Sequence, residues 1–549
     1  MATPTDKTAR KLKYGTNVIV ATILFLVVLG VINYFAQKSQ GRMRLDLTRD
    51  KQYTISPATK TLLGSLKDLV TVTVYATEQN TPPDWTEQRN QLRNLLYEYR
   101  LSSKDNVRYE FKDPTADPTL ARQAEQDGIR EQAMQQASAT ELSVKAGYLG
   151  FVVQYRGRKE VVAIIRPESS VEYQLTRAIN KVAQVNIPTV GIIAPGGNPF
   201  MGEQGNYAAV PQFLQQEGYT VKNLEPGKLN DLKDVNLLMV FQPEELSEEA
   251  LYRIDQYVIG GGKLFVAASG VQIDQRSGRA QPKAPPIDSL LQSYGLRIGQ
   301  DVVEDWGRGL QQNFMTMRGL VASRNPFIIE VTDLNQDSII TRKLPRLVFI
   351  YSSSVSKSEH GTSGTIEVLA QTSNRSKKQE QTFELDQQKV KPPPRGDKLD
   401  SFNLVMSVSG PLESRYAVAD PPVITEDNGT TRTVAASEVK LNSPPEARVV
   451  VAGSSFAFIN DVIARGDGQI NALFLLNVAD ALTRGGEMIS LRSKRAENAV
   501  LKSGYTEVQA RAAQIIVIAS VPVLLIIFGI IKFQFNRMKR SRYRDIYGS

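Results

Sequence analysis

The residues able to do chemistry in this chain are few, and their types exclude more than they permit. There is no cysteine, which removes disulfides, thiolate nucleophiles and cysteine metal sites. The single histidine, His360, lies in SSSVSKSEHGTSGT, a polar and glycine-rich stretch suited to a solvent-exposed loop. A Ser-His-Asp triad would have to use it, so no serine-triad chemistry is expected. No G-x-x-x-x-G-K-[ST] motif occurs, so the chain does not hydrolyse ATP by a Walker mechanism. Gly196-Gly197 is the nearest thing to a phosphate cradle, and without the lysine such a pair reads as a turn. Asp113 suits a turn cap before Pro114, and Glu172 suits the first turn of a helix. Neither has a partner carboxylate. No catalytic residue, metal site or cofactor is expected.

What remains is a polar, uncharged rim set by the elements behind it. Thr189–Ala194, Val235–Phe241, Lys263–Ser269 and Arg448–Gly453 are continuous apolar runs of the kind that parallel strands show when both faces are covered. Helices are predicted over Tyr207–Glu217, Ser247–Ile259 and Ile470–Leu482; Ser247 is the N-cap of the second, with Glu248 and Glu249 in its first turn. Strand alternating with helix across short turns predicts an open parallel sheet of flavodoxin type. Ligands of such sheets gather beyond the carboxyl ends of the strands. The candidate ligand-binding residues there are Gly196, Gly197, Gln242, Ser269, Ser454 and Ser455.

A separate α/β unit precedes it. Ser56 caps a helix that starts at Pro57, and Leu69–Tyr75 is a strand rich in β-branched residues. A helix over Thr86–Arg100, a strand at Val107–Phe111 and a polar helix over 117–137 follow. Gly150–Tyr155 and Glu160–Ile165 bracket a hairpin, and Val171–Val185 closes the unit as a helix. The order β-α-β-α-β-β-α is that of a thioredoxin-like fold, here without the redox cysteines and so a binding or spacing module. Between 300 and 440 the pattern loosens into short β-like pieces, Leu347–Tyr351, Thr365–Ala370 and Phe402–Val408, which read as a β-rich insertion with mobile loops.

The chain's ends are apolar. Thr16–Phe35 and Ile515–Phe533 each read as a membrane-spanning helix, the second with 17 uncharged residues from Ile515 to Ile531 covering roughly 26 Å. The net charge of +9 concentrates outside them: +3 over residues 1–13 and +5 over 532–549, leaving +1 between. A balanced middle gives no nucleic-acid footprint. The basic ends set topology and touch membrane lipids, with both termini cytoplasmic and the bulk of a two-pass chain on the other side of the membrane. The expected organisation is a basic tail (1–15), a span (16–35), the thioredoxin-like unit (44–186), the first part of the parallel-sheet domain (187–299), the β-rich insertion (300–440), a returning strand and helix (441–496), a connecting helix (497–513), a second span (514–533) and a basic tail (534–549).

Several short stretches, taken in order, carry a resemblance. They are Asp46-Leu47-Thr48, Tyr53–Ser56, Asp113-Pro114, Glu172–Ile179 (EYQLTRAI), Gly261–Leu264, Val449–Phe456 and Asn471–Leu482. The chain resembles the auxiliary components of ABC-type transport systems grouped with the gliding-motility protein GldG. That resemblance implies a non-catalytic bacterial inner-membrane subunit, its bulk in the periplasm, beside a separate ATPase and an ABC permease and binding cargo or an envelope ligand. It also implies that the second unit is similar to a domain of intraflagellar-transport proteins related to class I amidotransferases, whose Cys-His site cannot exist here. Glu172, Tyr173 and Arg177 match the family pattern. Two other readings stand beside it: a structural tether of surface or motility machinery, and an envelope hydrolase working at the rim.

Overall fold

The computed structural model describes residues 55–492 apart from 138–141, 166–169, 184–186, 195–206, 230–231, 244, 275–278, 317–318, 361, 388, 395, 427–428 and 465–467. The chain divides into two compact units, Met1–Lys494 and Arg495–Ser549, and every described residue lies in the first.

Local chemistry starts the first α/β region where the sequence predicts. Ser56 caps α1 (Pro57–Ser65), its Oγ accepting from the Thr59 amide at 3.1 Å, and Pro57 fills the first turn where no amide partner is needed. Then come β1 (Val70–Ala76), α2 (Pro83–Ser102), β2 (Val107–Lys112) and α3 (Pro118–Gln126), the last capped by Asp117. The polar helix predicted over 117–137 ends early. Gly128 adopts φ +87°, Ile129 turns into the interior, and the chain continues as the hairpin β3 (Gln132–Ala137) and β4 (Leu142–Gly147). β5 (Leu149–Tyr155) and β6 (Arg158–Val162) form a second hairpin through Arg156 and Gly157, both at positive φ as a two-residue primed turn requires. The sheet order is β2-β1-β5-β6, with β1 parallel to β2 and antiparallel to β5. α4 (Val171–Ala183) packs its Leu175, Ala178 and Ile179 into the same core.

The second sheet has eight strands. β7 (Thr189–Ile193), α5 (Ala209–Gln216), β8 (Thr220–Asn223), β9 (Leu237–Phe241), α6 (Glu248–Ile259) and β10 (Lys263–Ala267) come first in the chain. They are followed by β11 (Asp333–Leu334), β12 (Thr365–Gln371), β13 (Asn403–Ser409), β14 (Arg448–Ala452), α7 (Gln469–Thr483) and α8 (Glu487–Arg492). The order is β11-β12-β13-β14-β10-β9-β7-β8. β14, β10, β9, β7 and β8 run parallel; β13, β12 and β11 add antiparallel strands. Three strands from within 300–440 thus extend the central sheet.

Pleating divides each central strand between two cores. Leu237, Met239 and Phe241 of β9, with Phe265 of β10, face the core that holds Phe458 and Phe474. Leu238, Val240, Leu264 and Val266 face the one beneath α6. This is why these strands are apolar at every position: neither face reaches water.

The membrane architecture expected from the sequence is corrected. Among the described residues no helix is long and apolar enough to cross a membrane, and residues 16–35 and 514–533 lie outside the described residues. The longest described helix, α2, has 20 residues but carries Asp84, Glu87, Arg89, Arg93, Glu98 and Arg100. α7 is apolar but has 15 residues, about 22 Å of helix against the roughly 30 Å of a bilayer core, and it is buried against the sheet. The structure supports a mixed α/β protein with many sheets, and neither the two-span fold nor the two-pass inner-membrane placement is carried further.

Close backbone approach at the carboxyl end of β14 generates a prediction. A Cβ at Gly453 would sit 2.0 Å from the Ser353 carbonyl oxygen. Gly453→Ala is expected to lower stability by about 3 kcal/mol through this overpacking, read as a fall in the denaturation midpoint. A substitution without effect would show that the segment yields freely.

Candidate functional site

The rim residues do meet, and they meet as packed interior. Gln242 follows β9 at φ +34°, and its Oε1 accepts from the Ser269 amide at 3.0 Å and from Ser455 Oγ at 2.9 Å. Ser454 Oγ donates to the Ile350 carbonyl at 2.6 Å. Ser269, Ser454 and Ser455 are buried, while Gln242 is half-buried. Gly196 and Gly197 lie outside the described residues.

The cause is a segment that crosses the strand ends. The Ser353 amide donates to the Gly453 carbonyl at 2.7 Å, and Ser353 Oγ accepts from the Gly270 amide at 2.9 Å while donating to the Asp301 carbonyl at 2.8 Å. Residues 350–354 therefore occupy the place where a ligand of an open sheet would lie. Gly270 makes room for this, since a Cβ there would be 2.1 Å from the Gly299 carbonyl oxygen. Within this packing Ser269 Oγ and Ser352 Oγ are buried without a hydrogen-bond partner in the described structure. The half-open Gln242 borders a shallow surface pocket with Gln272 and Lys283.

One constellation behind the rim escaped sequence reasoning. Ser354 Oγ donates to Asp301 Oδ2 at 2.6 Å, and the Ser354 amide donates to Asp301 Oδ1 at 2.6 Å. Lys378 Nζ lies 3.1 Å from Asp301 Oδ2 and 2.9 Å from Ser354 Oγ. A serine beside a lysine can be a nucleophile and its base only if the amine is neutral. Here the ammonium donates to a buried carboxylate, and the hydroxyl gives its proton to that same carboxylate. The group is a satisfied ion-pair latch. Its members come from three distant segments, so no spacing in the sequence could have signalled it.

The family-like residues 172–179 sit elsewhere, between the two sheets. Glu172 is buried and accepts from the Ser56 amide at 2.6 Å and Thr59 Oγ1 at 2.9 Å, tying α4 to the start of α1. Tyr173 donates to Glu217 at 2.7 Å and accepts from Arg492 Nε at 3.1 Å. Arg177 pairs with Glu217 at 2.8 Å. Arg492 also pairs with Asp480, which has no exposed surface and accepts from Tyr219 as well. Burial raises the Tyr173 and Tyr219 hydroxyls above the ordinary phenol range, so both stay protonated and donate. The expected helix first turn for Glu172 is found; the tie to α1 and the bridge to α8 were not legible.

With this geometry in view, the comparisons with known proteins take their place. The chain belongs to the family described as an ABC-type uncharacterized transport system, which matches residues 187–479. That membership makes it an auxiliary, ABC-transport-associated protein. A second family, described as a domain of unknown function (DUF7088), matches residues 49–154. An uncharacterized protein of Borreliella burgdorferi is 24% identical over 531 residues, covering 94% of this chain and 96% of that one. Among solved structures, the mmIFT52 N-terminal domain is 14% identical with a TM-score of 0.32, covering 54% of this chain and 97% of that one. A ThuA-like protein from Bacteroides uniformis is 11% identical with a TM-score of 0.29, covering 56% of this chain and 97% of that one.

The buried pair generates the next prediction. Arg492→Ala removes the nearer of the two guanidinium partners of Asp480, leaving Arg484 at 3.5 Å, and is expected to cost about 2–3 kcal/mol of stability in chemical denaturation. A loss below about 1 kcal/mol would mean that water reaches the carboxylate.

Proposed function

We propose that this protein is a non-catalytic accessory subunit of an ABC-type transport system, working beside separate ATPase and permease chains. The observation that carries the reading is the closure of the strand-end rim by residues 350–354, which turns the usual ligand position of an open sheet into packed core. The Asp301–Ser354–Lys378 group supports it, because each member is committed to the others. Family membership supplies the transport context. The order of motifs, with EYQLTRAI among them, supports a GldG-like assignment within that context. The role is binding, of cargo or of a partner protein. At the rim, contact with a ligand would run through Gln242, beside Gln272 and Lys283, since Ser269, Ser454 and Ser455 are enclosed.

Affinity purification of the tagged full-length chain in mild detergent is expected to recover a Walker-type ATPase and a permease, identified by mass spectrometry. Recovery of neither under conditions that preserve other transport complexes would sink the proposal. Ser454→Ala and Ser455→Ala separate it from a hydrolase. Each is expected to cost about 1 kcal/mol of stability through a lost hydrogen bond and to leave the transport-dependent phenotype intact. Abolished function at unchanged stability would favour chemistry at the rim.

A further inference from the structure

The opposite end of the second sheet carries a groove that nothing above uses. It lies at the amino ends of β9 and β10, bordered by the last turns of α6 and α7 and by the approach to β9, and measures about 680 Å³. Leu229, Leu232, Val235 and Leu482 close its walls. Four cationic side chains line it, Lys233, Arg253, Lys263 and Lys440, and among the described residues no carboxylate does.

Two of the four are already engaged. Arg253 pairs with Glu249 at 2.9 Å, and Lys263 donates to the Glu446 carbonyl. Lys233 and Lys440 are exposed and make no ion pair among the described residues. A cation is stabilising at a helix C-terminus in its own right, which accounts for Lys440 beside the end of α6. It does not account for Lys233, which stands on the approach to β9. The floor is the backbone of Gly260–Gly262, whose amides are spent on the Gln256, Val258 and Tyr257 carbonyls. Recognition here falls to lysine side chains, as point charges on flexible stems. The groove is open along its length, unlike the enclosed pockets that hold small molecules, so its shape suits an extended chain.

We infer that this groove binds an extended acidic segment of a partner protein, whose carboxylates pair with Lys233 and Lys440. The partner's belonging to the transport assembly rests on the accessory-subunit reading; the binding itself does not, and its test needs no ATPase or permease. The full-length chain is titrated, by fluorescence anisotropy, into a fluorescein-labelled peptide of alternating Glu and Ser and into its Gln–Ser counterpart. The Glu peptide is expected to bind in a salt-sensitive manner and the Gln peptide not to bind. The double variant Lys233→Glu/Lys440→Glu is expected to weaken binding about tenfold or more with its melting temperature held, both positions being exposed. Lys67→Glu, an exposed lysine of the first α/β region, serves as control and is expected to change affinity less than about twofold. The inference is overturned if the double variant binds as the parent does, if Lys67→Glu loses as much, or if both peptides bind alike. Displacement of the peptide by inorganic phosphate at low millimolar concentration would reveal a small-anion site and overturn it too.

Discussion

Asp480 has no exposed surface, and a carboxylate there is tolerable because Arg492, Arg484 and Tyr219 meet it. That requirement reaches across the molecule. Arg492 lies on α8 and also donates to Tyr173 of α4 and to Asn477 of α7 at 2.6 Å. Tyr173 hands the connection on to Glu217 and thence to Arg177. A guanidinium presents several donors in a fixed fork, so it can satisfy Asp480, Asn477 and Tyr173 together where an ammonium could not hold the same geometry. The first α/β region is thereby joined to the eight-stranded sheet by a network whose members have little freedom to separate.

The same economy of freedom governs the strand ends. An open parallel sheet leaves a crevice beyond its carboxyl ends, and catalysis or binding in such folds uses that crevice. In this chain the crevice is filled by residues 350–354, held by backbone amides, by Ser353 and by the carboxylate of Asp301. Glycine at 453 is what permits the crossing, because a side chain there would collide with the Ser353 carbonyl oxygen; glycine at 270 does the same for the neighbouring Gly299 backbone. A protein built this way keeps the fold of a ligand-binding sheet while using the ligand's place as core.

Much of the architecture was legible because it is local. The N-caps at Ser56 and Ser247, the hairpin at Arg156-Gly157 and the apolar runs 237–241 and 264–267 all follow from side chains acting on their own backbone or from burial on two faces. Where the reading missed, a distant contact had overridden local pattern. Residues 118–126 are helical as their composition suggests, but Gly128 in the left-handed region and the burial of Ile129 redirect the chain into strand. The segments from 333 to 409 look like loose β pieces because they pair with one another across long connections and join the parallel sheet only through β14, which comes later in the chain.

The sequence by itself determined that thiolate chemistry and Walker ATP hydrolysis are absent, and that a Ser-His-Asp triad could draw only on one loop histidine. It also determined the alternation of strand and helix, and the polar residues that end each strand. Only the tertiary structure decided what those end residues do. Gln242, Ser269, Ser454 and Ser455 could line a pocket or bond to one another, and the choice depends on residues 350–354, which are distant from all of them in the chain. Burial and hydrogen-bond satisfaction are properties of the assembled packing, and no local pattern encodes them.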